Sequence, residues 1–178
     1  MASGLIPRKW LMRLGYAAVC LAILFLQLLP LETTPRRWAG PDLLVVVTVV
    51  WAARQPKFTP PLLVALVFLL ADLLLMRPPG LMAAVMVLAV EVLQRRAPSL
   101  RASTFAIEWA TAAAAMLTIM LVYRLGLMVF FVERASLGLT LMQTIMNISL
   151  YPLIVMLSSG LFGVRRAPVR ETGMGAAT

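Results

Sequence analysis

The feature that most constrains this chain is a succession of six apolar segments, separated from one another by short polar turns and loops. A helix needs about 20 apolar residues to cross the hydrocarbon layer of a bilayer. A soluble domain has about 45–50% apolar and about 25% charged residues, whereas this chain of 178 residues is 62% hydrophobic and 13% charged. The sequence therefore predicts an all-α integral membrane protein with six transmembrane helices, over residues 10–29, 41–54, 60–76, 81–94, 103–127 and 139–162.

Three stretches need a further argument. The second segment is short and rich in valine, so its run 43–51 alone is also compatible with a buried strand. An isolated strand cannot satisfy its backbone in lipid, and the neighbouring segments therefore favour a helix. Basic residues before the first segment resemble the start of a signal peptide, but no small-residue cleavage site follows, which favours a retained first helix. Residues 128–136 either extend the fifth helix or lie along the membrane interface.

The distribution of basic residues predicts the orientation, because Lys and Arg accumulate in the cytoplasmic loops of membrane proteins. Eleven of the 16 basic residues lie on the side of the N-terminus when the six segments alternate in direction. We therefore expect a cytoplasmic N-terminal segment over 1–9, one membrane domain over 10–164 and a basic cytoplasmic tail over 165–178. This asymmetry, together with anionic lipid headgroups, accounts for the net charge of +9, so membrane lipids are expected partners and nucleic acid is not.

Two aspartates lie at or near helix ends, where an ionisable group in a membrane usually marks a function or a specific contact. Asp42 begins the second helix, and its position predicts an N-cap. Asp72 lies four residues before the end of the third helix. It either reaches the interface, pairs with Arg77, or faces inward and connects this helix to its neighbours.

Two glutamates form a second set near the opposite membrane face. Glu91 is placed to pair with Arg95 at i+4, whereas Glu108 has no cation at that spacing and needs a partner from elsewhere. Two carboxylates are compatible with acid–base catalysis, but no nucleophile or glycine-rich phosphate loop accompanies them. The chain has no His, and Cys20 alone cannot form a metal site. We therefore expect neither an enzyme nor a cofactor.

Small residues form rows that let helices approach closely. Ala18 and Ala22 share a face of the first helix with Gly15, and five small residues repeat at every fourth position of the fifth helix. These five are Ala102, Ala106, Ala110, Ala114 and Thr118. The rows predict helix contacts, either within this chain or with another protein. The sixth helix contains Gln143, Asn147, Ser149 and Tyr151-Pro152. This pattern favours a bend with local hydrogen bonding, because proline frees a backbone carbonyl, and the alternative is a ligand site.

Several short motifs, taken in their order and spacing, resemble the rod shape-determining protein MreD family. They lie between residues 41 and 152 and comprise Pro41-Asp42-Leu43-Leu44 with Trp51, Arg54 and Pro56 after it, Asp72 followed by Arg77-Pro78-Pro79-Gly80-Leu81, Glu91, Glu108-Trp109, and Tyr151-Pro152. The chain length and the six predicted helices are also similar to those of this family. The first helix and the tail carry only the hydropathy pattern.

The resemblance implies a non-enzymatic scaffold in the bacterial inner membrane, within the machinery of cell elongation. Its implied partners are the single-span protein MreC, the actin-like MreB filament and the glycosyltransferase–transpeptidase pair that builds side-wall peptidoglycan. The partner-binding or structural candidates are then the four acidic residues and the small residues of the first and fifth helices.

The MreD family is similar in fold to the substrate-binding subunits of energy-coupling-factor vitamin transporters, and this supplies an alternative function. Those subunits hold a vitamin in a pocket open to the outside and contact their transporter through small residues of the first helix. Ala18 and Ala22 have the same A-x-x-x-A spacing. Against this function, the predicted outer loops carry no dense polar and aromatic lining.

Overall fold

A computed structural model describes residues 7–29, 40–131 and 136–164 of the chain. The helices are α1 (Arg8–Leu28), α2 (Leu43–Arg54), α3 (Pro61–Leu74), α4 (Leu81–Ala102), α5 (Phe105–Val129) and α6 (Leu137–Leu161). A single 3₁₀ turn, Pro56–Phe58, connects α2 to α3, and these described ranges contain no strand. The prediction of an all-helical chain is confirmed, including the helix predicted for the valine-rich second segment.

Three of the helices, α1, α5 and α6, are long and apolar enough to cross a membrane. The apolar helices α2 and α3 are shorter, with 12 and 14 residues, which corresponds to lengths of about 18 Å and 21 Å. Large apolar side chains cover much of the outside of the bundle; Leu62, for example, is 73% exposed. Such a surface is typical of a protein whose surroundings are lipid.

The central helix is α2, whose residues from Leu44 to Ala53 are all buried. A helix that is apolar on every side belongs in the interior of a bundle, and α2 packs against α1, α4, α5 and α6. Its valines fill the space between these helices. The shortness of α2 matters for the site, because it brings the polar residues at both of its ends close to the neighbouring helices.

Successive helices run in opposite directions. Asp42, before the start of α2, contacts Asn147 in α6, while Arg54, at the end of α2, contacts Glu108 at the start of α5. We refer to the end of the bundle where α2, α4 and α6 begin as the Asp42 end. The Arg54 end is the one where α1, α3 and α5 begin.

The predicted end of the fourth helix is wrong. A loop was expected over residues 95–101, after a helix that stops at Gln94, but α4 continues to Ala102 with Pro98 inside it. Ala97 and Leu100 lie on the inner face of this extension and are buried, so packing against the bundle stabilises a segment whose charges and proline indicated a loop. At the end of α5, Met128 and Val129 extend the helix, whereas residues 132–135 lie outside the described ranges.

Candidate functional site

A buried ion pair joins α2 to α5 at the Arg54 end. The Arg54 Nε atom donates to Glu108 Oε1 at 2.6 Å, and Nη2 donates to Oε2 at 3.2 Å. The Glu108 side chain is 2% exposed and that of Arg54 is 11% exposed. Two parallel bonds of this kind fix the relative orientation of the groups as well as their distance. Glu108 also lies in the first turn of α5, where the helix dipole favours a negative charge.

The same carboxylate connects to α6. The Tyr151 hydroxyl donates to Glu108 Oε1 at 2.8 Å. Trp109, the next residue of α5, donates through Nε1 to the backbone carbonyl of Ile148, three residues before Tyr151, at 2.9 Å. This carbonyl lies four residues before Pro152, which has no N–H to bond it. Glu108-Trp109 and Tyr151-Pro152 therefore form a single contact between α5 and α6.

Asp72 connects α3 to the start of α4 and is fully buried. Its Oδ2 atom accepts hydrogen bonds from the backbone N–H groups of Gly80 at 3.0 Å and Ala83 at 3.3 Å. Gly80 precedes α4 with a φ of +84°, a conformation that glycine adopts without strain. Of the three alternatives raised by the sequence, the structure places Asp72 inward, as a cap for α4, and not at the surface.

Asp42 is the N-cap of α2, and its Oδ1 accepts a hydrogen bond from the Val45 N–H at 3.4 Å. Its own backbone N–H donates to Asn147 Oδ1 at 2.8 Å, which connects α2 to α6. The Arg77 guanidinium, considered above as a partner for Asp72, lies instead 3.6 Å from Asp42 Oδ2. The predicted N-cap at Asp42 is present, and Arg77 pairs with Asp42 rather than with Asp72.

A cavity of about 190 Å³, lined by both polar and apolar side chains, opens beside Asp42. Its walls come from α2, α4, α5, α6 and the turn after α3, and include Arg77, Tyr123, Arg124 and Asn147. Arg124 Nη1 donates to the Thr140 hydroxyl at 2.9 Å. The lining lies on helices and one turn rather than on the loops that the sequence argument considered.

Glu91 is the acidic candidate that faces outward. Its Oε2 lies 3.6 Å from Arg95 Nη2, and the two side chains are 46% and 79% exposed. The i,i+4 pair expected from the sequence is therefore present on the surface of α4. Exposed pairs of this kind contribute little to stability, so Glu91 is separate from the buried contacts.

The small-residue candidates lie on the outside of the bundle. Ala18 and Ala22 are exposed on α1, and Ala106, Ala110 and Ala114 are exposed on α5. Ala110 and Ala114 line an apolar groove of about 620 Å³ between α4 and α5. We call this the α4/α5 groove.

The α4/α5 groove lies between two close approaches of its helices. Near the Asp42 end the two helices are in close contact, since a Cβ atom on Gly126 would lie 2.6 Å from Leu81 Cδ1. At the Arg54 end only residues 103–104 join α4 to α5, and Arg96 is part of the groove lining. The hydroxyls of Thr111 and Thr118 bond carbonyls of their own helix, so the groove presents an apolar surface.

The described buried acidic residues take part in contacts between helices and in helix caps. Within the described ranges, no group of three His, Cys, Asp or Glu side chains could hold a metal ion. Glu108 bonds Arg54 and Tyr151, and Asp42 caps α2. Asp72 Oδ2 caps α4, while its buried Oδ1 has no hydrogen-bond partner.

Sequence reasoning missed three members of these contacts: Arg54 as the partner of Glu108, Asn147 as the partner of the Asp42 N–H, and Arg77 as the partner of the Asp42 carboxylate. All three partners are distant in the chain; Arg54 and Glu108, for example, are 54 residues apart. One signal was present for Glu108, because its lack of a cation at i+4 already required a distant one.

Compared with protein-family models, curated proteins and solved structures, the chain matches none of them significantly. The resemblance to MreD proteins therefore depends on the residues themselves and on their arrangement.

Proposed function

We propose that this protein is a non-enzymatic membrane scaffold of the MreD type, which binds MreC and supports rod shape and side-wall peptidoglycan synthesis. The observation that carries the proposal is the position of the residues on which the resemblance is based. Arg54, Glu108 and Tyr151 belong to separate motifs in the sequence and lie in direct contact in the structure. These three side chains connect α2, α5 and α6 at the Arg54 end.

Other motif residues also make contacts within the bundle. Trp109 bonds the carbonyl that Pro152 leaves free, and Asp72 bonds the N–H of Gly80 in the turn that completes its motif. These residues connect α2, α3, α4, α5 and α6 into one bundle. The motif residues therefore hold the helices together in one framework, as a scaffold requires.

The α4/α5 groove is the surface that we assign to the partner helix. A membrane-spanning helix packs best against small residues, and the groove presents Ala110 and Ala114 between apolar walls. MreC, as a single-span protein, offers one such helix. We infer that MreB and the glycosyltransferase–transpeptidase pair join the complex directly or through MreC.

In this proposal the chain crosses the bacterial inner membrane six times with both termini in the cytoplasm. The Arg54 end then faces the cytoplasm, and its exposed basic residues include Lys57, Arg95 and Arg96. The helices α2 and α3 are shorter than the hydrocarbon layer, which is about 30 Å thick. In this arrangement α2 completes its crossing inside the bundle, surrounded by other helices, whereas α3 lies on the outside and exposes Leu62 and Leu66.

The direct test is purification of the tagged protein from its own cells in a mild non-ionic detergent, with all bound proteins identified by mass spectrometry. We expect MreC in nearly equimolar amount, and MreB and the peptidoglycan-synthesising pair in lower yield. A membrane protein of similar size with the same tag is the control. Recovery of MreC at only the control level would overturn the proposal.

The alternative is a vitamin-binding subunit of an energy-coupling-factor transporter. The exposure of Ala18 and Ala22 on α1 favours it, because such subunits contact their transporter through small residues there. The cavity of about 190 Å³ argues against it, since small-molecule pockets usually measure about 300–1,000 Å³. Native mass spectrometry of the same preparation distinguishes the two: lipids alone support the scaffold, and a bound vitamin at 1:1 supports the transporter subunit.

A further inference from the structure

We propose that the cavity beside Asp42 binds a phosphate group, held by Arg77, Tyr123 and Asn147. The inference depends on a bundle that crosses a membrane and does not depend on MreC. Three features of the cavity support it: the orientation of the Asn147 amide, the position of the Arg77 guanidinium, and the net charge and volume of the cavity.

The amide of Asn147 is oriented by its neighbour. Its side chain accepts a hydrogen bond from the Asp42 backbone N–H at 2.8 Å, and a backbone N–H is always a donor. The oxygen of Asn147 therefore faces Asp42, and its NH₂ group faces the cavity, where Asn147 is part of the lining. Asn147 is only 7% exposed, and its NH₂ group has no acceptor among the described residues. This donor opens onto the cavity and is free to bond an acceptor that enters it.

Arg77 is paired loosely and is available to a second anion. Its Nη1 lies 3.6 Å from Asp42 Oδ2, beyond the 2.7–2.9 Å that is usual for a bond between a guanidinium and a carboxylate. A guanidinium has five N–H donors, and a single distant carboxylate leaves most of them unused. The Tyr123 hydroxyl also lines the cavity and makes no hydrogen bond within the described ranges.

Charge and size both favour a small anion. Arg77 and Arg124 against Asp42 give the lining a formal charge of +1. The volume of about 190 Å³ is sufficient for a phosphate group but lies below the range of a pocket for a whole cofactor.

Two kinds of molecule could provide the phosphate group. The end of a membrane-spanning bundle lies at the depth of the lipid headgroups, so the phosphodiester of a phospholipid is one source, and a free phosphate ester outside the membrane is the other. Arg77, Tyr123 and Asn147 would bond the phosphate oxygens in either case.

The experiment uses the full chain, purified and delipidated in a neutral detergent, with binding measured by native mass spectrometry. The probes are phosphatidylglycerol, diacylglycerol and sn-glycerol 3-phosphate. Tyr123→Phe removes one hydroxyl with little effect on packing and Arg77→Gln removes the charge, while Arg95→Gln makes the same charge change on an exposed arginine of α4. Thermal unfolding checks that each variant is folded.

We expect one tightly bound phosphate probe per protein and no equivalent retention of diacylglycerol. Tyr123→Phe should weaken binding about tenfold, the effect of losing one hydrogen bond to a charged group. Arg77→Gln should weaken it further, and Arg95→Gln should leave it unchanged. Competition by glycerol 3-phosphate identifies a free ester as the ligand, whereas retention of phosphatidylglycerol without competition identifies the lipid. If neither phosphatidylglycerol nor glycerol 3-phosphate bound, or if Tyr123→Phe and Arg95→Gln weakened binding equally, the proposal would be overturned.

Discussion

Each buried carboxylate of this bundle faces the start of a helix. Asp42 caps α2, Asp72 bonds the first N–H groups of α4, and Glu108 lies in the first turn of α5. The unpaired N–H groups and the dipole at a helix start stabilise a negative charge by about 0.3–1 kcal/mol, and by up to about 2 kcal/mol when partly buried. This arrangement allows an apolar bundle to contain acidic residues at its interior.

Glu108→Gln should destabilise the protein strongly, because it leaves the Arg54 guanidinium without its carboxylate. Breaking a buried ion pair costs about 3–5 kcal/mol, and the partial exposure of Arg54 places the expected loss near the lower value. The measurement is the thermal unfolding midpoint in detergent. Glu91→Gln is the matched control, because its exposed pair is worth less than about 0.5 kcal/mol.

A double variant separates the ion pair from the packing around it. Arg54→Met with Glu108→Leu removes both charges and keeps similar volumes, so it should recover most of the midpoint lost in Glu108→Gln. If Glu108→Gln and Glu91→Gln shifted the midpoint equally, the buried pair would not be a stabilising contact.

Asp72 variants should separate the cap from the charge. Asp72→Ala removes the acceptor for Gly80 and Ala83 and should cost about 2 kcal/mol, the upper value for a helix cap. Asp72→Asn keeps an acceptor and should cost less. Because Asp72 is buried between helices, both variants should lower protein level and MreC complex yield together, with cells becoming rounder.

Asp42→Asn is the control for this pair, since Asn caps a helix nearly as well as Asp. A drop in complex yield at unchanged protein level would instead make Asp72 a contact for the partner. Unchanged protein level, complex yield and cell shape in Asp72→Asn would contradict both interpretations.

At the level of the helices, features set by neighbouring residues could be predicted from the sequence, whereas contacts between distant residues could not. The apolar segments and the cap at Asp42 depend on neighbouring residues, and the sequence predicted both. The end of α4 did not follow from local signals, because Arg95, Arg96 and Pro98 indicate a loop while the burial of Ala97 and Leu100 extends the helix. The partner of Glu108 depends on packing between α2 and α5, which no local pattern reports.

The corrected helix ends sharpen the test of topology. Reporter fusions after Arg37 and Gly80 should report an extracytoplasmic location, and fusions after Lys57, Ser103 and Arg170 a cytoplasmic one. Ser103 directly follows α4, whereas a fusion within 95–101 would interrupt a helix. The expected pattern follows from the eleven basic residues on one side of the predicted membrane domain. Termini on opposite faces of the membrane would contradict the six-helix arrangement.

At the level of the whole molecule, the ion pairs and carboxylate caps lie at the two ends of the bundle. They connect the helices at the Asp42 and Arg54 ends, while α2 fills the centre mainly with apolar side chains, apart from a hydrogen bond between Thr48 and Tyr16. The α4/α5 groove lies on the outer surface between the two ends. A bundle that is rigid inside and grooved outside is suited to holding another membrane helix, and this is the central claim of the account.

Site-specific photo-crosslinking in living cells tests that claim most directly. A photoreactive phenylalanine derivative replaces Leu88 or Ile107, two exposed residues on opposite walls of the α4/α5 groove, and in a control it replaces Leu66, an equally exposed residue of α3. We predict a crosslink to MreC from Leu88 and Ile107 but not from Leu66, and its loss when Ala114→Trp fills the groove. No MreC crosslink from either wall, or one of equal yield from Leu66, would contradict the account.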